Sequence, residues 1–280
     1  MRRIVIAVLS ITLFLGTFVY VPTTSYSQSF SSYSQAFEDY SLAVEGYKRV
    51  HDDYVLARSQ FLRFQTLTSQ NNAKEATAKL LEKRDDVIIK YLTALKEKIT
   101  DTEGVPDATR EGLFFRIDEE ISWFSDHMGR VSSAGSLDDL VLDSNEAKKR
   151  FEQADSLIYE SLSLISVGRL NNFRDRLEAT FSQLREKVNQ IRDEDRSEYK
   201  FSTRKLERID RWIFETENRI TRSNEKQQEV DKLMVRFGEQ RKNNSGLYNS
   251  VLVGLGESQQ YLEEASLFVK EIIREIETAE

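Results

Sequence analysis

The sequence predicts an all-α protein, an antiparallel helical bundle or coiled coil of about six long helices that follows an N-terminal signal peptide. The chain of 280 residues contains only two prolines and 11 glycines, whereas β-rich chains need turn residues roughly every 8–12 positions. Apolar residues recur at alternating steps of three and four, and this period of about 3.5 residues winds helices around one another. Charged residues of both signs, 31% of the chain, are mixed along it, which is typical of solvated helix faces.

Residues 1–27 have the layout of a secretory signal peptide. Arg2 and Arg3 precede an uncharged apolar run over residues 4–21, Pro22 ends that run, and small residues complete the segment. An uncleaved membrane anchor is the alternative, because the run is close to the roughly 20 residues that cross a bilayer. We therefore expect an extracytoplasmic protein (secreted, periplasmic or at the cell surface), or one anchored by residues 4–21.

The first part of the mature chain, residues 28–130, is predicted as a three-helix unit. A polar turn at residues 70–72 separates its first two helices, and Gly104 and Pro106 end the second. The three helices are expected over residues 29–68, 73–100 and 107–129.

A stretch rich in glycine and serine, residues 129–136, marks the predicted boundary to a second unit over residues 136–280, a bundle or coiled coil of longer helices. The long periodic segments predicted there are residues 136–193, 199–241 and 247–278. Gly168 interrupts the first of them, and we expect a kink or tight turn, since a mid-helix glycine costs about 1 kcal/mol relative to alanine. The second is polar at three central seam positions, which predicts a weak seam: Thr216, Ser223 and Gln227.

The mature chain is acidic, which excludes several classes of partner. The net charge is −7, and it becomes −9 once the two arginines of residues 1–27 are removed. Nucleic acids and anionic lipid surfaces are bound by clustered lysine and arginine. We therefore expect no nucleic-acid partner, and membrane contact only through the N-terminal segment if it is uncleaved. The absence of cysteine excludes disulfides.

Candidate catalytic groups are scarce. The chain has two histidines, His51 and His127. His127 lies near the expected end of a helix and is interpreted as a C-terminal cap that the helix dipole favours. The Glu-x-x-His pairs of di-iron bundles do not occur, nor do the ligand spacings of zinc and calcium sites. We therefore predict a non-enzymatic protein without a cofactor or metal.

The aromatic residues of the first predicted helix are the strongest hint of a binding site. Tyr40, Tyr47, His51 and Tyr54 fall on its seam at helical spacing. A buried tyrosine hydroxyl needs a polar partner, so such a seam either lines a cleft or forms a core whose hydroxyls reach the surface. These four residues are the predicted ligand or partner contacts. The alternative is that they are bundle core, with His51 fixing the helix register.

The predicted function is structural, scaffolding or protein binding at the cell envelope. It would act through coiled-coil faces that pair with another helical protein or with a second copy of the chain. The alternative is an extracytoplasmic ligand-binding module with a tyrosine-rich pocket in the first helix. A cavity among those tyrosines would favour that alternative, and tight packing would count against it. An enzyme that uses carboxylates alone is a third hypothesis.

Overall fold

Six α-helices follow one another in the part of the chain that this computed structural model describes, residues 32–193, 201–239 and 243–278, and no strand occurs there. The prediction of an all-α helical bundle is confirmed. The predicted signal peptide, residues 1–27, lies outside the described residues. The helices are α1 (Ser32–Phe64), α2 (Leu67–Thr100), α3 (Asp107–Ser132), α4 (Leu137–Arg192), α5 (Thr203–Glu239) and α6 (Asn244–Glu277).

The turn between α1 and α2 lies earlier than the predicted one at residues 70–72. Gln65 takes up a left-handed conformation with φ of 48° and ends α1. The Ser69 N–H donates to the Thr66 hydroxyl at 3.2 Å, and the Thr66 N–H donates to the Ser69 hydroxyl at 3.0 Å. This reciprocal capping box satisfies amide groups that have no partner within the helix. Helix α2 therefore begins at Leu67, and the polar residues 70–72 are helical.

Helix α4 packs against four of the other helices, α2, α3, α5 and α6. It contains 56 residues, which corresponds to a length of about 84 Å. Its first half packs against α2 and α3 and also contacts the start of α6 through Asp155 and Tyr159, and its second half packs against α5 and α6. Residues on both sides of the predicted boundary at 129–136 therefore contribute to one core. Residues Ser32–Glu280 form a single compact unit.

Two large apolar clusters lie along α4. Each joins one half of this helix to a pair of its neighbours, and each is built from residues at seam positions of the 3.5-residue period. The first cluster contains Leu92, Leu95, Ile99, Val105, Leu113, Ile117, Leu157, Ile158, Leu164 and Ile165. The second contains Val167, Leu170, Leu177, Phe181, Val188, Ile209, Val230, Phe237, Leu247, Val251, Leu255, Leu262, Ala265, Val269 and Ile272.

Gly168 does not break α4, contrary to the expected kink or tight turn. The helix runs through it from Leu137 to Arg192. A Cβ at this position would lie 2.5 Å from Cγ2 of Val105 and 2.9 Å from Cγ2 of Thr102. Gly168 is therefore the place where the loop between α2 and α3 approaches α4 closely. The packing gained there offsets the low helix propensity of glycine.

The polar centre of α5 is buried and bonded, so the expected weak seam is a polar core layer. The hydroxyls of Ser223 and Ser258 lie 2.8 Å apart and join α5 to α6. Gln227 donates to Asn171 of α4 and accepts from Arg174, and Asn171 donates at 2.9 Å to the carbonyl oxygen of Gly104. Such a network stabilises one register because each polar group needs its own partner.

Helix α1 lies on the outside of the bundle and packs mainly against α2. Only Ala36 and Tyr40 of its 33 residues are buried, so the part from residue 41 to the end of the helix has no buried side chain. None of the helices in the described part of the chain has an apolar stretch long enough to span a bilayer.

Candidate functional site

Of the four predicted contact residues of α1, Tyr40 is buried and the other three form a half-buried row. Tyr47, His51 and Tyr54 follow one another along α1, with ring centroids 6.0 and 6.4 Å apart. Tyr40 lies two turns earlier, is buried, and contacts the ring of Tyr91 on α2 at 5.5 Å. Three of the four predicted residues therefore share one surface, which we call the aromatic row (Tyr47, His51 and Tyr54).

The aromatic row lies where α1 faces α2. Burial raises the pKa of the Tyr47 hydroxyl, the nearby Arg84 guanidinium on α2 opposes that shift, and Tyr54 adds to it. The ring of His51 is half-exposed, and its Nδ1 lies 4.0 Å from the exposed carboxylate of Asp52. These rings keep one edge in solvent, so their polar atoms need no protein partner.

A groove runs between α1 and α2 beside the first half of α1 and has a volume of about 570 Å³. We call it the α1–α2 groove. Its lining combines small and apolar residues, among them Ala43 and Gly46, with charged ones. None of the four predicted contact residues lines it. The lining residues are Asp39, Leu42, Ala43, Gly46, Arg49, Val50, Lys83, Asp86 and Lys90.

Four tyrosines come together where α1, α2, α4 and α6 meet. Tyr159 and Tyr248 lie 5.5 Å apart, as do Tyr40 and Tyr91. Burial raises the pKa of each of these hydroxyls, most strongly that of Tyr91, whose pKa the neighbouring tyrosines and Asp155 raise further. Asp155 also accepts a hydrogen bond of 3.0 Å from the Asn244 amide at the start of α6.

The four tyrosines at this meeting point (Tyr40, Tyr91, Tyr159 and Tyr248) predict a loss of stability at alkaline pH. Because the pKa of the Tyr91 hydroxyl is higher in the folded state, its contribution to the free energy of unfolding is complete below 10.0, the ordinary pKa of the group. It is lost as the pH rises through the higher folded-state pKa. We expect Tyr91→Phe to make the free energy of unfolding less dependent on pH above about 10. Urea unfolding followed by circular dichroism at pH 8 to about 11 measures this, and equal slopes for the variant and the wild type would contradict it.

A buried Asp–His pair, which the sequence did not predict, connects α2 and α3. Asp85 and His127 have side chains that are 0% exposed, and Oδ2 of Asp85 lies 2.5 Å from Nδ1 of His127. The interpretation of His127 as a helix cap is wrong, because α3 continues to Ser132. Asp85 lies in the apolar row of Leu81 and Leu92, and an acidic residue in a buried row is the signal that could have found the pair.

Every side of the Asp85–His127 pair is occupied by the protein. Nε2 of His127 lies 3.0 Å from the carbonyl oxygen of Asp143 on α4, and the Trp123 ring stacks on the imidazole at a centroid distance of 5.0 Å. Arg84 donates to the second carboxylate oxygen of Asp85 at 3.3 Å. Both ring nitrogens of His127 therefore lie within hydrogen-bond distance of an oxygen atom of the protein. The pair therefore links three helices, and it is closed to a substrate.

No group of three or more His, Asp or Glu side chains is placed to hold a metal ion within residues 32–193, 201–239 and 243–278. Comparisons with protein-family models, with curated proteins and with solved structures found no match for the chain.

Proposed function

We propose that this protein is an exported, non-enzymatic helical protein that binds another helical chain, or a second copy of itself, at the cell envelope. The observation that carries this proposal is the incomplete cover of α1. This helix of 33 residues packs mainly against α2, and from residue 41 onward it has no buried side chain. A stable isolated helix of this composition needs apolar packing, so the free side of α1 is suited to a further helix.

The α1–α2 groove has the features of a helix-binding groove. The small side chains of Ala43 and Gly46 leave space in it, and a Cβ built on Gly46 would meet no atom within 4 Å. Leu42 and Val50 add apolar surface. An amphipathic helix laid into such a groove contacts it at steps of three and four residues. The mixed charges of the rim, with Lys83 and Asp86 among them, would select partners of complementary pattern.

Export is supported by the N-terminal sequence. The two arginines, the uncharged apolar run over residues 4–21 and Pro22 together have the order of a secretory signal. Expression of the full chain with a C-terminal tag, followed by fractionation and mass determination, tests this part. We expect an extracytoplasmic species that begins near residue 28.

Site-specific photo-crosslinking in the cells that produce the protein tests the partner. A photoreactive phenylalanine derivative replaces Leu42 or Arg49, which line the groove, and Gln153 or Lys270 serve as matched exposed positions elsewhere. We expect a discrete crosslinked band from the groove positions and none from the controls. A band at twice the mass identifies a second copy of the chain, and any other mass identifies a different protein.

Two outcomes of the crosslinking would contradict the proposal. Equal, diffuse crosslinking from the groove and control positions would mean that α1 has no specific partner. Crosslinking that persists unchanged when Gly46 is replaced by arginine would mean that the groove does not hold the partner, since a long side chain there fills the groove.

A ligand-binding module remains the second proposed function, and the aromatic row favours it. Half-exposed rings about 6 Å apart on one helix offer stacking surfaces to a peptide, a glycan or a lipid tail. Ligand screening by the change in tyrosine fluorescence tests this function. A ligand whose binding is lost in Tyr54→Ala but kept in Phe115→Ala would support it.

Tyr47→Ala separates a packing role from a ligand-contact role for the aromatic row. Because Tyr47 is half-buried, we expect its truncation to lower the free energy of unfolding by roughly 1–2 kcal/mol, less than the 3–5 kcal/mol of a fully buried aromatic side chain. Phe115→Ala, at an exposed position of α3, is the control and should have little effect. Urea unfolding measures both, and no destabilisation by Tyr47→Ala would show that the row is not packing surface.

A further inference from the structure

The end of the α1–α2 hairpin differs in charge from the rest of the chain. Residues 54–74 contain no Asp or Glu, although the whole sequence has 47. The same stretch contains three basic residues, Arg58, Arg63 and Lys74. Whole-chain charge argues against an anionic lipid partner, but binding depends on the charges within a Debye length of the surface, about 10 Å. The stretch from residue 54 to residue 74 is therefore cationic, and Asp53 and Glu75 flank it.

Large apolar side chains are exposed at the same end. Leu62 is 56% exposed, Phe64 is 58% exposed and Leu67 is 73% exposed. The Arg63 guanidinium lies 5.2 Å from the centre of the Phe64 ring. We call these three apolar residues, with Arg58, Arg63 and Lys74, the hairpin tip. Exposed apolar side chains among basic ones are the composition of surfaces that bind at the membrane interface.

The hairpin tip projects beyond the neighbouring loop. Nζ of Lys74 donates to the carbonyl oxygen of Gly135 at 2.8 Å, so the loop between α3 and α4 lies beside the second turn of α2. Leu67 precedes Lys74 by seven residues, which is about 10 Å along the helix. The carboxylates of Asp138 and Asp139 follow that loop in the first turn of α4. They lie behind the tip and limit how closely the rest of the protein approaches an anionic surface.

We propose that the hairpin tip binds anionic lipid bilayers. Leu62, Phe64 and Leu67 enter the boundary between headgroups and acyl chains, and Arg58 and Arg63 contact lipid phosphates. Lys74, whose ammonium donates to the Gly135 carbonyl oxygen, adds positive charge behind them. A bilayer suits these side chains because exposed apolar residues lie beside basic ones at the turn that joins α1 to α2. This surface is separate from the α1–α2 groove and does not depend on the proposed function.

Vesicle co-sedimentation of residues 28–280 tests the proposal. The probes are vesicles of phosphatidylcholine alone and vesicles that also contain about one third phosphatidylglycerol. We expect the anionic vesicles to be bound at least about tenfold more tightly, since each basic residue near an anionic surface contributes measurably. Binding should weaken as salt is raised. No binding to anionic vesicles at low salt would overturn the proposal.

Two variants assign binding to the tip. Leu62→Ser/Phe64→Ser/Leu67→Ser should reduce the affinity for anionic vesicles about tenfold or more, whereas Phe115→Ser/Phe214→Ser/Leu267→Ser, at equally exposed apolar positions, should not change it. Arg58→Gln/Arg63→Gln/Lys74→Gln should remove the preference for anionic lipid. Equal losses in the tip and control variants, with unchanged circular dichroism, would overturn the proposal.

A spectroscopic reporter keeps the test independent of loss-of-function variants. Phe64→Trp places an indole at the tip, and its emission should shift to shorter wavelength when anionic vesicles are added, because indoles move into a less polar layer. An unshifted emission would overturn the proposal. So would concentration-dependent dimerisation in sedimentation velocity that the serine tip variant abolishes while vesicles stay unbound, since a second copy of the chain would then occupy the tip.

Discussion

Asp85→Asn is expected to lower the free energy of unfolding by about 3 kcal/mol, because an amide group can accept a hydrogen bond at only one of the two oxygen positions that Arg84 and His127 contact. The side chains of Asp85 and His127 are completely enclosed, so water cannot replace the lost interaction. Asparagine has the shape of aspartate, and the change therefore isolates the electrostatic contribution from a change in packing volume.

The neighbouring residue supplies a matched control for Asp85→Asn. Asp86 is partly exposed and lies 3.8 Å from Lys83 within the same helix, and such surface pairs contribute about 0–1 kcal/mol. Urea unfolding of both variants measures the difference. Equal, small effects would mean that the Asp85–His127 pair does not hold α2 and α3 together. The double variant with His127→Asn should be less destabilised than the sum of the two single changes.

Gly104→Ala is expected to destabilise the protein by roughly 2–4 kcal/mol. Gly104 has φ of 78°, where an L side chain is strained. An added Cβ would overlap the carbonyl oxygen of Gly168 and would lie 2.8 Å from the backbone nitrogen of Asn172. Neither backbone atom can move without bending α4, so the cost of overpacking adds to the conformational cost.

Gly112→Ala is the control for Gly104→Ala and has the opposite expected sign. A Cβ on Gly112 of α3 meets no atom within 4 Å. Replacing an unencumbered helical glycine by alanine stabilises by about 0.5–1 kcal/mol. Thermal and urea unfolding of the two variants measure both effects. A neutral Gly104→Ala would show that the loop between α2 and α3 moves freely against α4.

The helices were predictable because their signal is periodic, and their ends were not always predictable because ends depend on single contacts. The seam of α5 was visible in the sequence from Ile209 to Phe237. The turn after Phe64 was missed, since a Thr66–Ser69 capping box outweighs the turn preference of the asparagines that follow. Gly168 was misjudged for a related reason. The low helix propensity of glycine can be read from the sequence, whereas the packing of the loop between α2 and α3 on Gly168 depends on the tertiary structure.

The candidate sites divide in the same way. The aromatic row was predictable, because its three members lie on one helix and their spacing alone places them together. The Asp85–His127 pair joins residues 42 positions apart, and only tertiary packing brings them into contact. The hairpin tip was not predicted, because the negative net charge of the whole chain does not reveal that residues 54–74 contain no carboxylate.

The continuity of α4 has a mechanical consequence. A helix without a break fixes the rotation of its two ends relative to each other, so the helices packed on its first half and those packed on its second half keep one relative orientation. Inserting one residue near the middle of α4 would turn everything beyond it by about 100°, whereas seven added residues would nearly restore the original angle. The length of this helix, about 84 Å, likewise works as a spacer. A partner bound near the start of α4 is therefore held at a fixed distance from a partner bound near its end.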